Sequence, residues 1–267
     1  MALRDNPVKG KVADGGRALG AMVFEFFTPG LPQICANAGA EFVLFDMEHA
    51  GLGFETLKTQ CALCRGLPLV PMMRVPRGEY HFIARALDVG AFGVMVPMVG
   101  TAAEAAHIVS SARYPPNGRR GAAFGFAHDD YQDGNVADKI AALHARTLLI
   151  AQIETVEGLG NVEAIAAVPG IDVLWLGHFD LTNSMGIPGA FEHPDYVAAV
   201  ARIVRACDDA GKSAGFLATD ERSAREAVAR GFRMLAFGVD QLMLQHALRA
   251  GLSVLRDAPN PGGGPDG

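Results

Sequence analysis

Short apolar runs recur along the chain at Leu19–Phe24, Phe42–Phe45, Leu69–Met73, Phe92–Val96, Leu148–Ile153, Val173–Leu176, Ser213–Leu217 and Met234–Phe237. Runs of this length, bounded by polar residues and glycine, predict strands of a parallel sheet buried on both faces. Between them lie segments whose apolar residues are spaced three and four apart, which predicts amphipathic helices. The clearest are Thr101–Arg113, Asp195–Ala210, Glu221–Arg230 and Asp240–Leu255, and Gly39, Gly66, Gly90, Gly211 and Gly231 read as helix stops. Eight strands alternating with eight helices over roughly 250 residues is the profile of a (β/α)8 TIM barrel in the α/β class. No Pro/Ser-rich linker interrupts it, so one domain over 1–256 is expected. The remaining 257–267, DAPNPGGGPDG, has the composition of a disordered tail. The longest irregular stretch, Tyr114–Asp138, is of a size that predicts a functional lid or a subunit contact.

Composition narrows the function. Of 267 residues, 50% are hydrophobic, and the net charge is −6. No basic cluster exceeds Arg119-Arg120, which argues against nucleic-acid and anionic-membrane partners. No apolar run approaches the roughly 18 residues of a membrane span. The first residues, MALRDNPVKGKVADGG, lack the apolar centre of a signal peptide, and a cytoplasmic location is expected. Cys61 and Cys64 form a CxxC inside a helix-like segment; with no second ligand pair it reads as helix packing.

In a parallel barrel the polar groups that follow the strands converge on one mouth. Gln152 and Glu154 follow the fifth run, and Asp180 follows the sixth after Gly177-His178-Phe179. Two carboxylates on neighbouring strands suit a hard divalent cation that keeps water or substrate oxygens in its other positions. An N-capping Asp180 and a solvated Glu154 are the bland alternative. The second run ends in Asp46-Met47-Glu48-His49 and the third in Arg74. His49 can move a proton near neutral pH or be a capped turn histidine, Asp46 can hold its tautomer through the ring, and Arg74 offers planar donors to an anionic oxygen or a salt bridge to Asp46 or Glu48. Glu48 reads as pointing to solvent or pairing with a basic neighbour. His178 reads as a lining of a carboxylate site or as a shape filler. His128, Asp129 and Asp130 read as reaching the mouth, meeting a neighbouring subunit or lying solvated. None of the five lysines, Lys9, Lys11, Lys58, Lys139 and Lys212, follows a predicted strand at the mouth, so no Schiff-base lysine is expected. The glycines make neither a GxGxxG nor a Walker loop, so no nucleotide is expected. Metal-assisted proton chemistry beside a carbonyl is the reading these residues favour.

The motifs FDMEHAG, PMMRVP, ALDVGAFGVMVPMV, RYPPNGRRG, AQIET, LGHFDLTNSMGIPG and GKSAGFLATD together resemble the HpcH/HpaI class II pyruvate aldolases, from about Leu19 to Leu255. The resemblance implies a barrel of the phosphoenolpyruvate/pyruvate-binding type and a divalent metal, Mg2+, Mn2+ or Co2+. In its terms Glu154 and Asp180 match the metal ligands, and Gln152 matches a residue near metal and substrate. His49 with Asp46 matches the base, working through a water, and Arg74 the holder of the enolate oxygen. Gly177 and His178 fall where backbone amides receive the keto-acid carboxylate, and Leu217, in GKSAGFLATD, joins the substrate-binding set. Asp88 matches an acid that approaches the site of an adjoining subunit. Relatives look like hexamers whose last helix is exchanged between subunits, and the apolar Leu242–Leu255 segment is compatible with that. Many relatives carry Gly-Pro-Ala-Asp-Leu-Ser where this chain has Gly177 to Thr182, and the loop Ala123–Tyr131 also differs. Both features resemble the hydroxy-keto-acid aldolase branch, which looks able to use hydroxypyruvate as well as pyruvate.

The implied reaction is reversible cleavage of a 4-hydroxy-2-oxo acid to pyruvate or hydroxypyruvate and an aldehyde through a stabilised enolate, with a small keto acid and an aldehyde as the only partners beyond other copies of the chain. Alternatives are an oxaloacetate decarboxylase, an acyl-CoA lyase or a non-catalytic keto-acid-binding barrel. The lyase would need a basic groove for its nucleotide, which the sequence does not show.

Overall fold

The computed structural model describes residues 3–258. Its strands are β1 (Ala18–Val23), β2 (Phe42–Asp46), β3 (Val70–Arg74), β4 (Gly93–Val96), β5 (Leu148–Ile153), β6 (Val173–Leu176), β7 (Ser213–Ala218) and β8 (Met234–Val239). All pair in parallel with their sequence neighbours, and β8 pairs back to β1 to close the barrel. Every expected strand is present, with ends displaced by two residues at most.

The strand runs are apolar throughout because both faces are covered. Met22, Leu44, Met72, Ile150 and Trp175 point into the barrel. Val43, Met73, Leu149, Leu174 and Leu176 point outwards against the helices. Gly215 makes room for the indole inside: a Cβ there would run into the Trp175 ring. Burying such side chains is worth ~1.5–3 kcal/mol each.

The outer ring runs α1 (Pro7–Ala13), α2 (Leu31–Asn37), α3 (Phe54–Leu63), α4 (Tyr80–Asp88), α5 (Ala102–Ala112), α6 (Val136–Arg146), α7 (Val156–Gly160), α8 (Val162–Ala166), α9 (His178–Ser184), α10 (Pro194–Asp209), α11 (Glu221–Ala229) and α12 (Asp240–Asp257). It is not one helix per strand. The β5–β6 crossover breaks into α7 and α8 at Asn161, and β6 leads first into the short α9. Helix α1, which the apolar pattern did not single out, plugs the bottom with Val8 and Val12. Asn6 Nδ2 donates to Arg146 O at 2.9 Å and Ser213 Oγ to Val12 O at 2.9 Å, fixing that plug.

One expectation about the periphery needs revision. The long loop is no lid over its own mouth. It folds against the lower flank, where Asp130 accepts from Arg4 and Arg65, Lys139 pairs with Asp129 at 2.8 Å, and Arg146 donates to His128 O. His128 and Asp129 are buried there rather than solvated. Helix α12 runs one residue past the expected domain boundary and, apart from Asp240, leaves the barrel. Leu242, Leu244, Leu248, Leu252 and Leu255 are all exposed along it. The expected disordered tail lies, from 259 onward, outside the described residues. Among the described residues no helix is long and apolar enough to cross a membrane. Cys61 and Cys64 are free and buried, and burial pushes both thiols up, as packing residues should be.

Candidate active site

A cavity of about 480 Å³ opens at the carboxyl ends of the strands. His49, Arg74, Gln152 and Asp180 line it from β2, β3, β5 and α9, with Leu217 on β7 and Gln241 at the start of α12. The parallel register brings the set together. Asp46 lies beside Arg74 across β2–β3, and Gln152 beside Trp175 across β5–β6.

One side of the mouth is a charge relay of short contacts. Asp46 is fully buried at the end of β2. Its Oδ1 accepts from Arg74 Nε at 2.5 Å, and its Oδ2 accepts the backbone N–H of His49 at 2.7 Å. The expectation that Asp46 grips the His49 ring is therefore corrected. Its second oxygen is used on the turn itself, because the chain reverses direction within three residues of the strand. The imidazole is 58% exposed into the mouth, with Nε2 3.7 Å from Glu48 Oε2. Glu48 turns inward and meets Arg74 Nη1 at 3.0 Å. Of its two sequence readings, pairing with a basic neighbour holds and pointing to solvent does not. Burial raises the Glu48 carboxyl above its ordinary range; Arg74 opposes this, and Asp46 and Asp180 add to it. Arg74 is thus held by two carboxylates with its guanidinium over the Phe24 ring, a fixed cation rather than a mobile one.

The other side is the carboxylate pair. Glu154 is buried one residue beyond β5; its Oε1 accepts Met98 N–H at 2.6 Å and its Oε2 accepts from Gln152 Nε2. Met98 turns its amide there in a left-handed conformation, φ 58, that few non-glycine residues adopt. Burial pushes the Glu154 carboxyl up to about 7. The two hydrogen bonds oppose this shift, whereas Glu48 and Asp180 reinforce it. Such a group gains by meeting a cation. Gly177 leaves the space: a Cβ there would strike Glu154 Oε2 and sit 2.6 Å from Glu154 Cβ. Gln152 Oε1 is buried with no hydrogen-bond partner among the described residues. Two carboxylates and an orphaned amide oxygen fit a hard divalent cation. Among the described residues no three or more His, Cys, Asp or Glu are grouped to hold a metal, so such an ion would complete its shell with water or substrate oxygens.

His178 lines the mouth with its ring packed among aromatic neighbours. Its ring packs 5.1 Å from Phe216 and 5.4 Å from Phe191, centroid to centroid, and burial lowers its pKa to about 4, leaving it neutral. The Gly177 amide is also spoken for, donating to Ile153 O at 3.1 Å as the ladder's last rung. Of the two amides expected at a keto-acid carboxylate, that of Gly177 is thus engaged in the sheet, and that of His178 stands at the head of α9. Asp88 does not belong to this mouth. It ends α4 on the opposite side of the barrel and pairs with Arg120 at 2.6 Å. The lysines also lie elsewhere, Lys9 reaching Thr147 O and Lys139 reaching Asp129 at the lower flank.

Two contributors escaped the sequence reading. The backbone amide of Met98 carries no pattern. Asp240 had a signal, an acid directly after the eighth strand, at the strand-end position where the other candidates sit. Its carboxylate accepts N–H groups of Phe24, Glu25 and Phe26 at 2.7–3.0 Å, which clasps the β1 loop to β8 beside the mouth.

Comparisons with known proteins agree with this geometry. The family model described as HpcH/HpaI aldolase/citrate lyase matches residues 22–247. The hydroxypyruvate/pyruvate aldolase of Chromohalobacter salexigens is 36% identical over 92% of this chain and 96% of its own. A 2-keto-3-deoxy-L-rhamnonate aldolase of Klebsiella pneumoniae is 34% identical, covering 97% of each chain. The crystal structure of an HpcH/HpaI aldolase from Desulfitobacterium hafniense superposes with a TM-score of 0.89 at 31% identity, over 95% of this chain and 98% of that one. Barrel, mouth and relatives converge: the chain belongs to the HpcH/HpaI aldolase/citrate lyase family and is a carbon–carbon lyase of the aldolase type.

Proposed function

We propose that the chain is a metal-dependent class II aldolase that joins pyruvate or hydroxypyruvate to an aldehyde and reverses the reaction. The observation that carries this is the pairing, in one mouth, of an oxygen-rich cation seat at Glu154, Asp180 and Gln152 with an immobilised guanidinium at Arg74. A bound Mg2+, Mn2+ or Co2+ would supply Lewis-acid stabilisation of enolate charge. The protein does the rest. The first-turn amides of α9 meet the keto-acid carboxylate, as helix N-termini favour anions. Arg74, unable to swing because Asp46 and Glu48 hold it, presents fixed positive charge to the 2-oxo oxygen; such preorganised charge is a large catalytic term. His49, free in the mouth, takes the 4-hydroxyl proton through a water in cleavage and returns it in synthesis. As C3–C4 breaks, its electron pair forms the enolate and the former hydroxyl carbon leaves as the aldehyde.

Proton NMR of pyruvate in D2O with the purified protein tests this. Loss of the methyl signal with Mg2+ or Mn2+, abolished by EDTA and by Glu154→Ala, is the expected result. Exchange that persists in Glu154→Ala would sink the assignment, and binding without exchange for either donor would point to a keto-acid-binding barrel.

The exposed leucines of α12 support a further part of the reading, that subunits exchange this helix in a hexamer; in such an assembly Asp88, at the end of α4, would serve a neighbour's mouth. Light scattering after size exclusion, with and without residues 240–267, tests it. Four free, buried cysteines suit the reducing cytoplasm as the compartment.

A further inference from the structure

A second cavity, of about 250 Å³, lies behind the mouth between β7, α10 and α11. Leu176, His178, Phe179, Leu217, Thr219 and Asp220 line both cavities, so the two adjoin along this set of residues. Its depth is aromatic. Phe216 and Phe232 stand 5.3 Å apart, Phe191 and Tyr196 5.6 Å apart, and the His178 imidazole flanks the side towards the mouth. An apolar cavity of about 150 Å³ is enough to take up benzene. This one is larger.

Its charged rim is already matched. Arg222 pairs with Glu192 at 3.1 Å and Glu226 at 3.7 Å, and Arg230 pairs with Glu226 at 3.6 Å. Asp220 is spent capping α11, accepting Ser223 N–H at 2.7 Å. No lining arginine is left over for a distal carboxylate, and Asp220 would repel one. The keto-acid end of a substrate is drawn to the β3 side of the mouth by Arg74 and would be drawn to the β5 and β6 side by a cation held at Glu154 and Asp180. The remaining direction runs past Leu217 into this annexe.

We propose that the annexe receives the uncharged, apolar tail of the acceptor aldehyde, an aryl or branched alkyl group. This rests on the aldolase reading and names its acceptor class. In the step itself, C3 of the enolate attacks the aldehyde carbon, and the carbonyl π pair moves to oxygen and takes the proton from the His49 side. The tail enters no bond change and contributes only binding.

The test compares acetaldehyde, 3-phenylpropanal and 4-oxobutanoate as acceptors, with pyruvate as donor and Mn2+ present, alongside pyruvate methyl exchange in D2O. The expected kcat/KM for 3-phenylpropanal exceeds that for acetaldehyde by about tenfold or more, the gain that burying a few methylenes gives, and 4-oxobutanoate is the poorest of the longer acceptors. Ala227 on α11 lines the annexe but not the mouth. Ala227→Leu should remove most of the 3-phenylpropanal advantage through KM, leaving exchange and acetaldehyde turnover unchanged. Phe191→Ala, which enlarges the space, should move the optimum to longer tails. Equal kcat/KM for the two neutral acceptors, a preference for 4-oxobutanoate, or no change in either variant overturns the annexe while exchange upholds the aldolase. Absence of exchange in the wild-type protein overturns both.

Discussion

Gly177→Ala isolates what the cation seat demands. Gly177 has φ −90 and ψ 83, a conformation open to alanine, so backbone strain plays no part. Space decides. The added Cβ would lie 2.6 Å from Glu154 Cβ, about 1 Å short of the 3.5–4.0 Å optimum for carbon–carbon contact. Glu154 Cβ is fixed to its backbone and cannot rotate away, so β5 and the start of α9 must separate. Overpacking of this kind costs ~1–3 kcal/mol. For a chain of this size that corresponds to a fall in Tm of roughly 2–10 °C. The displaced Glu154 also loses its alignment with Gln152 and Met98, and losing such support weakens metal affinity by about 10- to 100-fold. Thermal unfolding of metal-free protein and Mn2+ titration by calorimetry read the two effects separately. Gly160→Ala, where an added Cβ meets nothing within 4 Å, serves as control. Wild-type Tm and Mn2+ affinity in Gly177→Ala would refute the packing argument.

Three other outcomes follow from the same contacts. The Glu154 carboxyl is raised to about 7, so its protonated form is the one folding favours: its stabilising contribution is full below the unfolded value of 4.5 and is lost as pH rises through 7. Mn2+ needs the ionised form, so affinity should climb by up to about tenfold per pH unit from pH 5 to 7 and then level, and a flat calorimetric profile would contradict this. Asp46→Ala leaves Arg74 without its buried partner and should cost ~3–5 kcal/mol in urea unfolding, with a larger loss in kcat than in KM; a neutral variant would remove Asp46 from the site. Asp240→Ala frees three amides of the β1 loop and should speed hydrogen exchange at Phe24, Glu25 and Phe26 while exchange in β5 stays as in the wild type; unchanged rates at the three would show that the clasp carries no stability.

Much of the site was legible because a barrel makes a strand's carboxyl end a fixed place. A polar residue right after an apolar run, such as Arg74, Gln152 or Asp180, is at the mouth whatever its neighbours do. Direction within the turn was not legible. Glu48 and His49 are adjacent, and only the Asp46 hydrogen bonds decide that one meets Arg74 and the other stays free. The Asp46 error has the same origin: sequence proximity pointed to the ring, and the short turn brought the backbone amide closer.

The strands and their order are properties of the sequence alone, since both rest on local periodicity and on the turn residues at the strand ends. Tertiary structure decided what depends on residues far apart in the chain. Met98 and Gln152 orient Glu154, and Asp240 holds a loop more than 200 residues earlier. The long loop goes to the lower flank because Arg4, Arg65 and Arg146 await it there. The aromatic annexe exists only where α9, α10, α11 and β7 meet. Periodicity reports which face of an element is buried, but not which other element buries it; that is settled when the closing barrel sets the distances.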